Sequence, residues 1–231
     1  MKRIWITGDM HGDIDISKVK TFKKNMKISG DTLDREDIII VCGDMGICWD
    51  GGAYDRYIKK YWEQQPFTVL FVDGNHENFS VLATHPWQDS AWGAPVRQIA
   101  ENVSQLKRGS VYTIYNRTFF AFGGASSHDK WCRKEGRDWW PEEMPTPQEY
   151  EDGIKALAAH DWRVDCIISH CTDDKTQSEL NPNYEHDALT NYFRVIKMDL
   201  DYDYHFFGHY HTDRDVTPKD IALYYRFIQL V

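Results

Sequence analysis

Five short polar clusters carry most of the groups in this chain that could do chemistry together: Gly8-Asp9-Met10-His11-Gly12, Gly43-Asp44, Gly74-Asn75-His76-Glu77, Ser169-His170 and Gly208-His209-Tyr210-His211. They offer carboxylates, imidazoles and a carboxamide in the proportion that a pair of hard-to-borderline divalent ions takes as ligands. Two such ions about 3.5–4 Å apart would make a nucleophile from water and neutralise phosphoryl oxygens. Hydrolysis of a phosphate ester at neutral pH then needs only a proton for the leaving group, which a positioned histidine can supply.

Each cluster follows an apolar run. Ile4-Trp5-Ile6, Ile38-Ile39-Ile40-Val41, Val69-Leu70-Phe71-Val72, Cys166-Ile167-Ile168 and His205-Phe206-Phe207 are short and rich in β-branched or aromatic residues, which suits strands buried on both faces. Ligands would then leave the carboxyl ends of neighbouring strands, where open α/β sheets place their sites. Helical periodicity covers 16–26, with Asp15 as its cap, 54–65, closed by Pro66, and 187–197. Thr146-Pro147-Gln148-Glu149 reads as a capping box that opens another helix. Short strands are expected over 118–122, 213–217, 221–225 and 227–231. No Gly/Ser- or Pro-rich linker divides the 231 residues, so one domain over 1–231 is expected, with a substrate-side loop insertion at 123–147.

The order and context of the five clusters, from Asp9 to His211, resemble the calcineurin-like metallophosphoesterase superfamily. The resemblance implies an α/β fold, a two-layer β-sandwich flanked by α-helices. It implies a dinuclear metal-dependent hydrolase of phosphate esters, in which metal-activated water attacks phosphorus. Asp9, His11 and His211 would hold one ion, Asn75, His170 and His209 the other, and Asp44 would bridge them. His76 is similar to the family histidine that faces the leaving-group oxygen, and Asp73 or Glu77 would orient its ring and keep it protonated. An extended His209-Tyr210-His211 segment would turn both imidazoles to one face. Mn2+ is the first expectation for the two divalent ions, with Fe, Zn, Ni or Co as alternatives, because ligand type narrows the list and cellular supply decides within it.

The phosphoserine/threonine phosphatase branch extends its bridging carboxylate into Gly-Asp-x-x-Asp-Arg-Gly, whose later Asp supports the acid histidine and whose Arg grips phosphate. Ile47, Cys48 and Trp49 stand at those three positions here. A phosphoprotein phosphatase therefore loses its main support as an alternative, while Gly-His-x-His looks more like the bacterial phosphodiesterases, nucleases and nucleotide hydrolases. Asp50 is a candidate for the orienting task. A non-catalytic scaffold is the other alternative, but it should show eroded ligands, and the set here is whole.

Substrate choice is expected in 123–147. There Lys130, Arg133, Lys134 and Arg137 mix with Trp131, Trp139 and Trp140, after His128. Arg133, Arg137 and His128 are the candidate substrate residues, with bases for phosphate and indoles for a planar group of a nucleotide-like phosphoester. The alternative is that the tryptophans pack the loop onto the domain. A net charge of −9 gives no support to nonspecific nucleic-acid binding. Hydrophobic residues at 42% and aromatics at 14% exclude a disordered chain. With no apolar leader and no run long enough to span a bilayer, a cytoplasmic protein without membrane contact is expected. The five cysteines form no CxxC pair and read as reduced, mostly buried thiols, although Cys171 has a base beside it in His170. Oligomeric state is left open.

Overall fold

The apolar runs become the inner strands of two sheets in a computed structural model that describes residues 2–230. In chain order the strands are β1 (Ile4–Thr7), β2 (Ile38–Val41), β3 (Thr68–Phe71), β4 (Trp87–Gln88), β5 (Val96–Ala100), β6 (Val103–Leu106), β7 (Ser110–Ile114), β8 (Arg117–Phe122), β9 (Arg163–Ser169), β10 (Asp201–Phe207), β11 (Arg214–Asp215), β12 (Asp220–Ala222) and β13 (Ile228–Gln229). The helices are α1 (Ile16–Ile28), α2 (Ala53–Glu63), α3 (Phe79–Leu82), α4 (Pro147–Ala159), α5 (Asp174–Leu180) and α6 (Ala188–Asp199). One sheet has the order β13-β1-β2-β3-β6-β5-β4 and the other β11-β12-β10-β9-β8-β7. The strands that feed the polar clusters are parallel neighbours, β1 to β2 to β3 in the first sheet and β9 to β10 in the second.

Side-chain alternation explains why these runs are apolar throughout. Ile4, Ile6, Ile38, Ile40 and Leu70 pack with Phe119, Cys166, Ile168 and Phe206 of the other sheet, while Trp5, Ile39, Val41, Val69 and Phe71 pack with Val19 and Phe22 of α1 and Ile58 and Trp62 of α2. On the second sheet's outer face Phe120, Phe122 and Ile167 meet Leu157 of α4 and Phe193 and Ile196 of α6. A strand buried on both faces has no polar side to show. The fold is the α/β two-layer β-sandwich flanked by α-helices.

The capping box forms at α4, where Thr146 accepts from the Glu149 backbone, and Asp187 caps α6 in the same way. Asp15 precedes α1 but makes no cap bond with its side chain. The expected carboxyl-terminal strands shorten to β11, β12 and β13, and the last residue of 227–231 lies outside the described residues. Strands β4 to β7 carry no polar cluster and were not anticipated. Tyr115 and Asn116, with φ of 49° and 65°, turn β7 into β8, the geometry a two-residue hairpin needs at both central positions. Among the described residues no helix is long and apolar enough to cross a membrane.

Candidate metal centre

The carboxyl ends of β1, β2 and β3 meet those of β9 and β10, and the loops that leave them bring the seven expected ligand side chains together. Asp9 Oδ2 lies 3.1 Å from His211 Nε2. Asp44 Oδ2 lies 3.3 Å from His11 Nε2 and 3.3 Å from His170 Nε2. Asn75 Oδ1 is 3.1 Å from the same His170 nitrogen, and the His209 ring centroid is 5.0 Å from that of His170. His76 stands beside them: its ring centroid is 5.6 Å from that of His11, and its backbone N–H donates to Asp44 Oδ1 at 2.7 Å.

The backbone is bent to achieve this. His209 and His211 have φ of 66° and 46°, so the Gly-His-x-His segment is not the extended strand expected, and two left-handed residues flank Tyr210. His11 and Asp44 share that region at 43° and 47°. Such conformations cost non-glycine residues about 1–3 kcal/mol each and persist where the surroundings enforce them. The glycines of the motifs make room: a Cβ on Gly74 would sit 2.0 Å from Asp44 Oδ1, and one on Gly208 would sit 2.0 Å from Asp9 Oδ1.

A ring of further groups orients the donors. His11 Nδ1 bonds Asp15 Oδ2 at 2.8 Å, which is the task Asp15 performs instead of capping, and His170 Nδ1 donates to the Cys42 carbonyl at 2.7 Å. Both rings are thereby held with Nε2 free to face the carboxylates. Asn75 Nδ2 donates to Ser127 Oγ at 3.1 Å, and Ser127 Oγ donates to Glu143 Oε2 at 2.6 Å, which turns Asn75 Oδ1 inward. The buried Lys18 Nζ donates to the carbonyls of Gly8, Asp9 and Tyr224, and burial pulls its pKa down to about 8. Lys18, Ser127 and Glu143 were not anticipated. A lysine beside Val19 on the buried face of α1 was the one signal for Lys18.

Charge balance decides what this pocket can hold. Asp9 and Asp44 are 0% and 1% exposed. Burial opposes their ionisation, yet the surrounding histidines hold Asp9 below and Asp44 well below the ordinary value. Burial likewise opposes charge on His11 and His170, but Asp44 and Asp9 raise them to about 9 and about 10. Burial, reinforced by His170, pushes His209 down to about 3. Two dry carboxylates thus demand positive charge, and imidazole Nε2 atoms already point at them. This donor set fits divalent cations.

The sequence model of the calcineurin-like phosphoesterase family matches residues 2–213. The chain belongs to that family. No curated protein matches it. Among solved structures it is similar to the sulfate thiohydrolase SoxB of Thermus thermophilus in complex with glycerol, at 12% identity and a TM-score of 0.38, with 94% of this chain and 38% of that chain covered.

The other residues expected at the site divide sharply. Neither Asp73 nor Glu77 orients His76: Asp73 accepts from Arg108 Nε at 2.8 Å and Gln105 Nε2 at 3.0 Å, and Glu77 Oε1 accepts from the Met45 backbone at 2.7 Å. Asp50 accepts from backbone N–H groups of Gly52, Tyr54 and Asp55 at the start of α2. The partner of His76 is Arg133, whose guanidinium lies 3.2 and 3.3 Å from the two ring nitrogens and is gripped by Asp129 at 2.7 Å. Burial lowers the His76 pKa and the Arg133 charge adds to that, while the Asp44 carboxylate opposes it. Arg137 is 72% exposed and pairs with its neighbour Asp138, and His128 is exposed without a bond to the cluster. Trp131 is 85% exposed, whereas Trp140 is buried and donates to Ser80 Oγ. The Cys171 thiol is buried and pushed well above its ordinary pKa by that burial, which removes it as a nucleophile.

Proposed function

We propose that this phosphoesterase cleaves phosphate esters at a dinuclear centre, with Asp9, His11 and His211 around one divalent ion, Asn75, His170 and His209 around the second, and Asp44 shared. The observation that carries this reading is the equal 3.3 Å approach of Asp44 Oδ2 to His11 Nε2 and to His170 Nε2, one from each ligand set. When bound, the ions would supply the charge that neutralises phosphoryl oxygens and the acidity that turns water into a nucleophile. Mn2+ is the first candidate, with Fe, Zn, Ni or Co as alternatives, because ligand type narrows the list and cellular supply decides within it.

The protein's own residues do the rest. In its protonated form His76 faces the leaving-group oxygen and gives that oxygen its proton as the ester bond breaks, ending as the neutral ring. Arg133 replaces the arginine missing after Asp44: held by Asp129, it takes a phosphoryl oxygen beside His76. The substrate is a phosphoester, nucleotide-like on this reading because an anion clamp stands beside aromatic walls.

The test separates leaving groups. His76→Ala should keep its metal content and lose about 10²- to 10⁴-fold in rate on esters with poor leaving groups, and less on activated aryl esters. An equal loss on both classes would remove His76 from proton donation. If the Mn2+-loaded wild type hydrolyses no mono- or diester in a broad panel, the reading fails as a whole.

A further inference from the structure

Next to the cluster lies a cavity of about 350 Å³ lined by His11, Ile14, Gly46, Trp49, Tyr54 and His76. That is the small end of the range for ligand pockets, about 300–1,000 Å³, so it suits one ring-bearing group and not a polymer. Two of its walls, His11 and His76, belong to the reaction centre. The others are the Trp49 indole, the Tyr54 phenol ring, Gly46 and Ile14, which is 75% exposed.

The aromatic walls are fixed before any ligand arrives. Backbone N–H groups of Trp49, Asp50 and Gly51 donate to the Asp55 carboxylate at 2.7, 3.1 and 2.9 Å. The Trp49 carbonyl accepts from Asn78 Nδ2 at 2.6 Å, and the indole meets Trp140 edge-on at 6.0 Å. The Tyr54 hydroxyl donates to Asp13 Oδ1 at 2.8 Å. Rings held in this way lose little freedom when a ligand stacks on them. A charged or strongly polar group entering between them would give up water without gaining a partner.

We propose that this cavity receives the organic group attached to the leaving oxygen, and that this group carries a planar aromatic ring stacked on Trp49, with Tyr54 as the second aromatic wall. The proposal rests on the reading of His76 and the metal centre given above. Cys48 stands where the phosphatase branch has its phosphate-gripping arginine and Trp49 where it has the glycine that follows, so this side of the site is apolar where that branch is cationic. Aliphatic phosphoserine side chains would leave the walls uncovered. Stacking of one ring on an aromatic side chain corresponds to roughly 10- to 100-fold in affinity.

Two phosphonates of similar size that cannot be hydrolysed, benzylphosphonate and cyclohexylmethylphosphonate, isolate the effect of planarity. Calorimetry on the Mn2+-loaded protein should show the benzyl compound binding about 10-fold more tightly or better, a ratio that Trp49→Phe keeps and Trp49→Ala brings close to one. Tyr54→Leu should lower the ratio as well, and serves alone if Trp49→Ala does not fold. The matching phosphate esters, whose leaving alcohols have similar acidity, should show the same preference in kcat/KM. A third ligand, the methylenephosphonate analogue of adenosine 5′-phosphate, tells the sources of the ring apart: tighter binding than benzylphosphonate assigns a nucleoside, and weaker binding assigns a simple aryl group. Equal binding of the first two phosphonates to wild type, or a ratio unchanged in folded Trp49→Ala, overturns the proposal. Failure of wild type to hydrolyse either ester would instead overturn the hydrolytic reading, and the binding ratio would still judge the cavity.

Discussion

Arg133 and Arg137 look alike in the sequence and part company in the structure. Arg133 is drawn by Asp129 to within 3.3 Å of His76, whereas Arg137 stays 72% exposed. A guanidinium bond to a phosphoryl oxygen is worth about 1.5–3 kcal/mol, so Arg133→Ala should raise KM for phosphoesters by roughly 10- to 100-fold while leaving metal content intact. Arg137→Ala should leave KM within about twofold, as surface changes do. Steady-state kinetics on both variants check this, and equal effects would remove Arg133 from the phosphate. At this scale the ligand types were legible because carboxylate, imidazole and carboxamide declare their chemistry in any context. The groups that aim them were not. Ser127 and Glu143 reach Asn75 only through tertiary contact, and Asp15, only four residues from His11, sat where a helix cap would sit equally well.

At the scale of elements, the turns carry the strain and the glycines permit it. Gly74→Ala would force a Cβ to within 2.0 Å of Asp44 Oδ1 and 2.5 Å of the Asp44 backbone nitrogen, so the β2 loop must shift with its carboxylate. The expected outcome is weaker binding of both ions and a lower Tm, read by metal analysis and thermal melting. A variant that keeps both would show that the loops have slack. Strands β1, β2, β3, β9 and β10 were legible because runs buried on both faces are apolar at every position. The His209–His211 geometry was not, since a left-handed φ at a non-glycine residue leaves no mark in residue type. Strands β4 to β7 escaped because they mix polar and apolar residues, as in the Val96–Ala100 segment.

Across the whole molecule, a second polar network ties α5, α6, β10 and β12 together away from the metal centre. Lys197 Nζ donates to Asp173 and Asp220 and lies 3.3 Å from His205 Nδ1, whose Nε2 reaches Ser169 Oγ at 2.6 Å. Asp173, His205 and Asp220 could form a metal site by their spacing, but the Lys197 ammonium already supplies their counter-charge. Lys197→Met leaves two buried carboxylates without their counter-charge, although Thr176 and Thr217 still bond them, and should cost about 3–5 kcal/mol in urea unfolding. Burial opposes charge on Asp173 and Asp220, but Lys197 holds Asp173 below the ordinary carboxylate range, and at Asp220 the bond with His205, followed by Lys197, does the same. Burial and Lys197 hold His205 below its own ordinary value. All three folded pKa values are depressed, so their contribution is present above the unfolded values, about 6.5 for the histidine and about 3.9 for the carboxylates. It is lost as pH falls, first at His205 and then at the aspartates, and thermal melts from pH 7 to pH 3 should decline in that order. A flat profile would contradict the network's charge states. The central claim, one carboxylate shared by two ions, is tested most directly by counting metal. Wild type loaded with Mn2+ should carry two ions per chain, and Asp44→Asn should lose affinity for both together with most hydrolysis; an Asp44→Asn protein that keeps both ions at wild-type affinity and turns over at the wild-type rate would contradict it.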